Sequence, residues 1–518
     1  MKASCAAIAL VAAAAVAVVG FTRGTYAAGG SDSSCYALMA DAFAVGALQP
    51  TSALVARVPW PDAPKTFTPG GFVTSETNPS ASAPVCAPGF SVLLAPLLAA
   101  GGLDAIFILS PIAGALLVWL TYVAGRTIGN PPAGAMAAML IASSPTTLYQ
   151  VVQPMNDVTT AALWMATFAA LFQRRWTLAG ICCGLALLVR PNLLPLALVA
   201  SLAIGTKPWG SGTGDWRGVR DVTRFAIAAA PFALLVLWLN AELYGSPFRT
   251  GYGQLGHLFG LSVIPLNASR YLGWLIETHT IFPLLAFAAP FAVAREKRAE
   301  AMLAIGLIFA TCFIYFVYTP FDDWTYLRFL LPAIALMLVL ASTVIVRAVT
   351  CLVSHRARLE GDAIVAAITA GLAIFCVRAA DERLAFDLKY LEQRYRSAGI
   401  VVRDYLPSNA VVFSVWDSGA VRFHGRKEAL TWAGLDPEWL DRSLSWLDAH
   451  GHSAYILVES WEEPAFRSRF GNHSDSGKLD WPPKYEIDRV VRIFDPKDRA
   501  KYDRGEQVST EYLWPMRD

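Results

Sequence analysis

The chain has 518 residues, of which 55% are hydrophobic and 16% charged, and its formal net charge is +2. That balance is too apolar for an ordinary soluble enzyme, in which about a quarter of residues are charged, so it points to bilayer insertion. Near-neutral charge, without a basic tract carrying interleaved aromatics, argues against a nucleic-acid partner. About half of all Asp, Glu, Lys and Arg fall after Ala380, which divides the chain into a membrane part, residues 1–380, and a water-soluble tail, residues 381–518.

A helix needs about 20 mostly apolar residues to cross the hydrocarbon. Eleven candidate cores follow in chain order: 5–21, 105–125, 133–149, 158–172, 178–189, 193–204, 225–240, 281–294, 301–318, 330–346 and 363–377. The first also fits a cleaved signal peptide, because Lys2 precedes an alanine-rich run that ends in small residues near Ala27 and Ala28.

Lys and Arg in short loops collect on the cytoplasmic side. With Lys2 inside, alternate loops carry Arg126, then Arg174 and Arg175, then Lys207, Arg217 and Arg220, then Arg295, Lys297 and Arg298, and finally Arg347, Arg356 and Arg358. The intervening segments, including a long one at 23–104, hold few basic residues and most of the notable polar ones. An odd number of spans then places the N-terminus in the cytoplasm and the tail outside, in a multi-pass protein of the inner (plasma) membrane.

The tail alternates apolar runs with helical patterns: AVVFSV from Ala410, a helix around 439–450, YILVE from Tyr455, a short helix near 464–470 and RVVRIF from Arg489. Strands separated by helices predict a small α/β domain. Its WDSGA run from Trp416 stands after the first strand, where open sheets often bind ligands, although an ordinary loop turn explains it as well.

Four polar clusters fall in the outer segments. GGSDSSCYALMADAF from Gly29 places Asp32 in a glycine-preceded stretch ahead of a helical pattern, as a reactive carboxylate or as a helix cap. Asp41, further along, fits a surface charge. QPMNDVTTAALW from Gln153 puts Asn156 and Asp157 at the outer start of a spanning helix, again with capping as the plain alternative. LLVRPNLLPL from Leu187 holds Arg190 against the usual charge bias, either snorkelling to headgroups or gripping a phosphate. NAELYGSPFRTGYG from Asn240 and FDDWTYLRFLLP from Phe321 add Arg249, Asp322, Asp323 and Arg328 with Tyr244, Tyr252, Trp324 and Tyr326. Such aromatics also form the interfacial belt.

Of eight cysteines, only Cys35 and Cys86 lie in polar sequence. On an oxidising outer face they are candidates for a disulfide, with two free thiols as the alternative. The spacing shows no zinc motif.

In their order and common sidedness these features resemble the GT-C class of polyprenyl-phosphate-dependent glycosyltransferases. The bacterial relatives of protein mannosyltransferases and of the lipid A aminoarabinose transferase are the most similar. The resemblance rests on Asp32 after the first span, APGFSVLLAPLL from Ala87, QPMND, RPN, YGSPFRTGYG and YLRFLLP. It implies an α-helical polytopic membrane protein with about eleven transmembrane helices and a small C-terminal α/β domain. It implies Asp32 as catalytic base, Asp157 as a second catalytic acidic residue, and Arg190, Arg249 and Arg328 as donor-phosphate contacts. Tyr252, Asp323 and Trp324 would face acceptor or sugar. Many members carry two adjacent acidic residues where this chain has Asp32 and Ser33, so a divalent metal is possible but is not implied at that position.

The partners implied are a polyprenyl-phosphate-linked sugar, membrane lipid, and an acceptor that is a glycan, lipid or protein. Transfer from a lipid phosphate needs cations at the phosphate and one base, whereas a glycosidase generally needs a second carboxyl to protonate the leaving oxygen. A secondary transporter or a membrane sensor with an external ligand-binding domain is the rival reading. A transporter would carry its polar groups near the midplane, often in an internal repeat.

Overall fold

The computed structural model describes residues 2–206, 215–253, 255–353 and 358–514. Lys207 and Arg356, two of the basic loop residues read as cytoplasmic, lie outside the described residues.

The apolar cores fold as helices, and the chain is a multi-pass helical membrane protein with a small α/β tail. Among the described residues, six helices are long and apolar enough to cross a membrane: Ala3–Thr22, Leu103–Ile128, Gly218–Tyr244, Arg295–Phe316, Trp324–Leu352 and Leu359–Glu382. A seventh span results if the bent pair Leu261–His279 and Phe282–Ala292, which turns through 110°, is counted as one. This is fewer than the eleven expected from hydropathy. The difference lies in short or broken elements. Pro145 starts a new helix inside the 133–149 core, and Arg190 with Pro191 separates Trp176–Val189 from the helix that follows. The helix Ile264–His279 was not expected, because Arg270, Glu277 and His279 interrupt its apolar face.

Contacts divide the chain into two units. The first comprises Met1–Gly24, Phe107–Leu237 and Gln254–Leu388. Its core interlocks the helices Lys2–Thr22, Leu109–Ile128, Pro131–Ser143, Asn156–Phe172 and Leu331–Leu352 through residues such as Val16, Leu117, Tyr122, Ile141, Trp164 and Leu336. In its most apolar stretch the Trp324–Leu352 helix is 83% buried, against 11% for Gly218–Tyr244 and 17% for Leu359–Glu382, so the first is central and the other two are peripheral. Gly125 meets Gly134 across one helix pair, and a Cβ on Gly125 would stand 2.7 Å from Gly134 Cα. Small residues at such crossings let membrane helices gain dispersion contact where the hydrophobic effect gives none.

The second unit comprises Thr25–Ile106, Trp238–Gly253 and Lys389–Asp518. The long outer segment thus groups with the tail and not with the membrane helices. A hairpin pairs β1 (Phe72–Thr74) with β2 (Ser82–Pro84). The tail sheet contains β3 (Ala410–Phe413), β4 (Glu428–Leu430), β5 (Ser453–Glu459), β6 (Tyr485–Ile487), β7 (Val491–Phe494) and β8 (Glu511–Leu513), in the order β4-β3-β5-β7-β6-β8. β3 runs parallel to β4 and β5, and β7 is antiparallel to β5 and β6.

Side chains alternate across this sheet, and both faces are covered. Val412, Leu457 and Ile493 pack under Ala398, Val401 and Val402 of the helix Leu388–Tyr405. Val411, Phe413, Ile456 and Val458 pack with Leu440, Leu444, Phe466 and Phe470, and also with Leu54, Val55, Trp60 and Phe67 from the outer segment. Cys35 and Cys86 are joined by a disulfide. Asp41, expected as a free surface charge, holds Arg426 through two contacts of 2.6 and 3.0 Å.

Inside this unit, His424 is buried and accepts a hydrogen bond at Nε2 from the Ala28 amide, 3.0 Å away. Burial, then the charges of Arg396, Arg403 and Arg426, push its pKa from 6.5 down to about 3. A histidine more easily protonated unfolded than folded withdraws stability as pH falls below about 6.5, by about 2 kcal/mol at pH 5. Burial raises Glu462 to about 7, and Asp417 well above the carboxylate range. Those shifts act in the opposite sense, favouring the folded unit as pH falls. The histidine contribution is therefore isolated by difference. His424→Gln, which keeps an acceptor without titrating, should show less loss of hydrogen-exchange protection in 389–514 than the parent at pH 5, and equal protection at pH 7.5.

Candidate active site

Three charged side chains gather in the first unit. Asp157 lies in the first turn of Asn156–Phe172, its side chain wholly buried, and Arg190 Nη1 stands 2.8 Å from its Oδ1. Arg328 Nε lies 3.8 Å from the other carboxylate oxygen. The two arginine side chains are only 12% and 14% exposed. The Asp157 carboxylate therefore faces two guanidiniums in a poorly solvated place.

Local structure fixes each member. Arg190 ends the helix Trp176–Val189 with an extended backbone, because Pro191 denies the next amide and opens a 3-10 turn. Asn156 Nδ2 donates to Val189 O across the same junction, at 3.4 Å. Arg328 lies in the 3-10 run Trp324–Leu330.

Aromatic rings frame the cations. Arg190 stands over Phe329 at 4.9 Å, and Arg328 over Tyr326 and Phe329 at 5.2 and 5.3 Å. Cation–π contact is worth about 0.5–2 kcal/mol, more where water is excluded. Phe329 stacks on Tyr315, whose hydroxyl accepts from Asn192 at 3.2 Å. Asn267 Nδ2 donates to the Tyr318 carbonyl at 2.6 Å, and Arg270 donates to the Phe321 carbonyl. Sequence reading missed Phe329, Tyr315, Asn267 and Arg270. Only the first two left a trace, as aromatics close in sequence to named residues.

The other expected residues are each described within their own unit. Asp323 accepts from the Thr325 amide at 2.8 Å and caps the 3-10 run, which accounts for it without a substrate. Trp324 packs edge-on against Tyr149 at 5.2 Å, with Arg383 over its ring at 5.6 Å. Arg249 and Tyr252 belong to the second unit. Arg249 is exposed and pairs with Glu76 at 2.6 Å, and Tyr252 is about half exposed. Asp32 also belongs to the second unit, in the first turn of Gly30–Ala44. The N-cap there is Gly29, so Asp32 does not cap that helix as the plain reading had it. A carboxylate in a first turn is still favoured by the helix dipole. Among the described residues no group of three or more His, Cys, Asp or Glu is placed to hold a metal ion, so no step below uses one.

Asp157→Asn and Asp323→Asn separate the two acidic roles. Asparagine caps about as well as aspartate, so Asp323→Asn should change thermal stability in detergent by under about 1 kcal/mol. Asp157→Asn removes the negative charge that Arg190 and Arg328 share, and should cost about 3–5 kcal/mol. Equal melting temperatures for the two variants would remove the ion-pair role.

No family model and no curated protein matches this chain. Solved structures do. ArnT from Cupriavidus metallidurans bound to undecaprenyl phosphate is 15% identical, covering 89% of this chain and 94% of that one, with a TM-score of 0.56. ArnT of the same organism in the apo state is 14% identical over 95% and 98%, with a TM-score of 0.58. The Archaeoglobus fulgidus oligosaccharyltransferase in its apo form is 14% identical over 95% of this chain and 74% of that one, with a TM-score of 0.51. By this likeness, which spans nearly the whole chain, the protein has the GT-C fold.

Proposed function

We propose that this protein is a membrane glycosyltransferase that moves a sugar from a polyprenyl-phosphate donor to an acceptor on the outer face of the inner membrane, its N-terminus cytoplasmic and its tail outside. The observation that carries the reading is the triad, in which Arg190 and Arg328 both pair with Asp157. A phosphate is the anion that two planar guanidiniums match in charge and geometry. One of the structures of like fold is a complex with undecaprenyl phosphate, which supports a lipid phosphate as this chain's donor group.

In such a reaction the bond from the sugar's anomeric carbon to the phosphate oxygen breaks, and the phosphate leaves with the electron pair. Cations placed where that charge develops lower the barrier. The acceptor hydroxyl must lose its proton as it attacks, and Asp32 is our candidate base. Asp157 positions the arginines in this scheme, beside the second catalytic role that the resemblance implies for it. Arg249, exposed and paired with Glu76, is a weaker candidate for donor contact.

Mass spectrometry of lipid that copurifies with the protein would identify the donor. Production of free polyprenyl phosphate from a membrane extract then reads turnover. Asp32→Asn should retain affinity for polyprenyl phosphate within about 2-fold and lose turnover by about 100-fold or more, the scale of a positioned base. Arg190→Lys with Arg328→Lys should instead weaken polyprenyl phosphate binding by about 10-fold or more, since a point charge replaces the planar fork. Unchanged binding in the double lysine variant would refute the phosphate assignment.

A further inference from the structure

The segment that carries Asp32 is held from several directions by the tail and the outer loop, all within the second unit. From the tail, His424 Nε2 accepts the Ala28 amide hydrogen at 3.0 Å, a contact buried at both ends. The next residue, Gly29, has no room for a side chain. A Cβ there would stand 2.2 Å from Cδ2 of Tyr395, a residue that is itself buried. Two turns further on, Gly419 admits Ser34, whose Cβ would lie 2.3 Å from a Cβ on that glycine.

The turn at 69–72 adds a further support. Gly71 adopts a φ of +83°, and a Cβ there would lie 2.1 Å from the Ser31 carbonyl oxygen. Ser418 Oγ in turn accepts the Gly70 amide hydrogen at 3.0 Å, which ties that turn to the tail. The disulfide from Cys35 to Cys86 and the Asp41–Arg426 ion pair hold the helix beyond. Asp32 itself is partly exposed, at the front of this fixed segment.

We infer that the tail is the positioning element for Asp32, with His424 and Tyr395 as positioning residues that act through Ala28 and Gly29 to set where the Asp32 carboxylate stands. This rests on the reading of Asp32 as base. The chemistry requires it to matter, because a base displaced by about 1 Å can lose 100-fold in rate while ground-state binding elsewhere persists.

Two variants with matched controls test this in the full-length protein. His424→Ala removes the acceptor and His424→Gln restores one. Gly29→Ala drives a methyl into the Tyr395 ring, and Tyr395→Ala in the same chain returns the space. Hydrogen exchange of 25–44 is the first readout and needs no donor. It should quicken by about 10-fold in His424→Ala and Gly29→Ala and return toward the parent in His424→Gln and the double variant. Release of polyprenyl phosphate from a membrane lipid extract is the second, and should fall about 10- to 100-fold in the same two variants. Affinity for polyprenyl phosphate alone should stay within about 2-fold.

In an Asp32→Asn background, neither His424→Ala nor Gly29→Ala should lower turnover further. Unchanged exchange in both variants would overturn the clamp. Quickened exchange with parental turnover would overturn its catalytic role, as would an equal rate loss in the Asp32→Asn background. Parental turnover by Asp32→Asn itself would instead strike the base reading, leaving the exchange result to stand by itself.

Discussion

A guanidinium keeps its charge at any physiological pH, so at the edge of a bilayer it must be met by an anion, a ring face or water. Asp157 meets two at once. Much of the local irregularity of the first unit follows from that demand. Asp157 stands at the start of a helix, where the dipole favours a negative charge, and Arg190 at the end of another, where it favours a positive one. Both placements need helix ends, which Pro191 and the 3-10 run before Leu331 supply. The aromatic frame of Tyr315, Tyr326 and Phe329 limits water around the cations, which strengthens their hold on any anion. Replacing the triad with apolar residues would spare the desolvation cost, so its presence points to use and not to stability.

The tail solves the reverse problem, buried negative charge, differently. Glu459 takes Arg394 at 3.0 Å and the Trp461 ring N–H at 2.7 Å. Glu462 accepts the Glu459 amide, tying the end of β5 to the turn that follows. Asp417 is fully buried beside them, and burial with the charges of Glu459 and Glu462 raises its pKa well above the carboxylate range. Burial and like charge thus favour the neutral form of the Asp417 carboxyl, whereas the guanidiniums of the triad keep their charge.

What the sequence made legible follows from which forces are local. Long apolar runs report burial in lipid or core directly, so every expected core falls on helical structure. The strands of the tail at 410–413, 453–459 and 491–494 were readable from their β-branched runs, whereas Glu428–Leu430 and Glu511–Leu513 are too short to show a period. The helix Ile264–His279 hid because its polar residues lower its mean hydropathy, although Asn267 and Arg270 spend those polar groups on carbonyls of the loop at 316–321. Arg190 and Arg328 were visible as charges against the sidedness rule, but their shared partner was not. Pairing with a residue in a different helix, as Arg190 and Arg328 pair with Asp157, leaves no local mark.

The grouping of the outer segment with the tail was the least legible feature, and it bears most on how the protein is built. Segment 54–67 supplies Leu54, Val55, Trp60 and Phe67 to one face of the tail sheet, and Thr431, just past β4, donates its amide hydrogen to Thr66 O at 2.6 Å. The hairpin of β1 and β2 is only three residues deep and cannot stand alone in water. The disulfide closes a loop of 51 residues, and cross-links of that length stabilise by about 4 kcal/mol through the unfolded chain. The apolar side chains of 54–67, however, find their burial against strands more than 340 residues away in sequence. The outer loop therefore folds as part of the tail's core, after the membrane helices between them have been made.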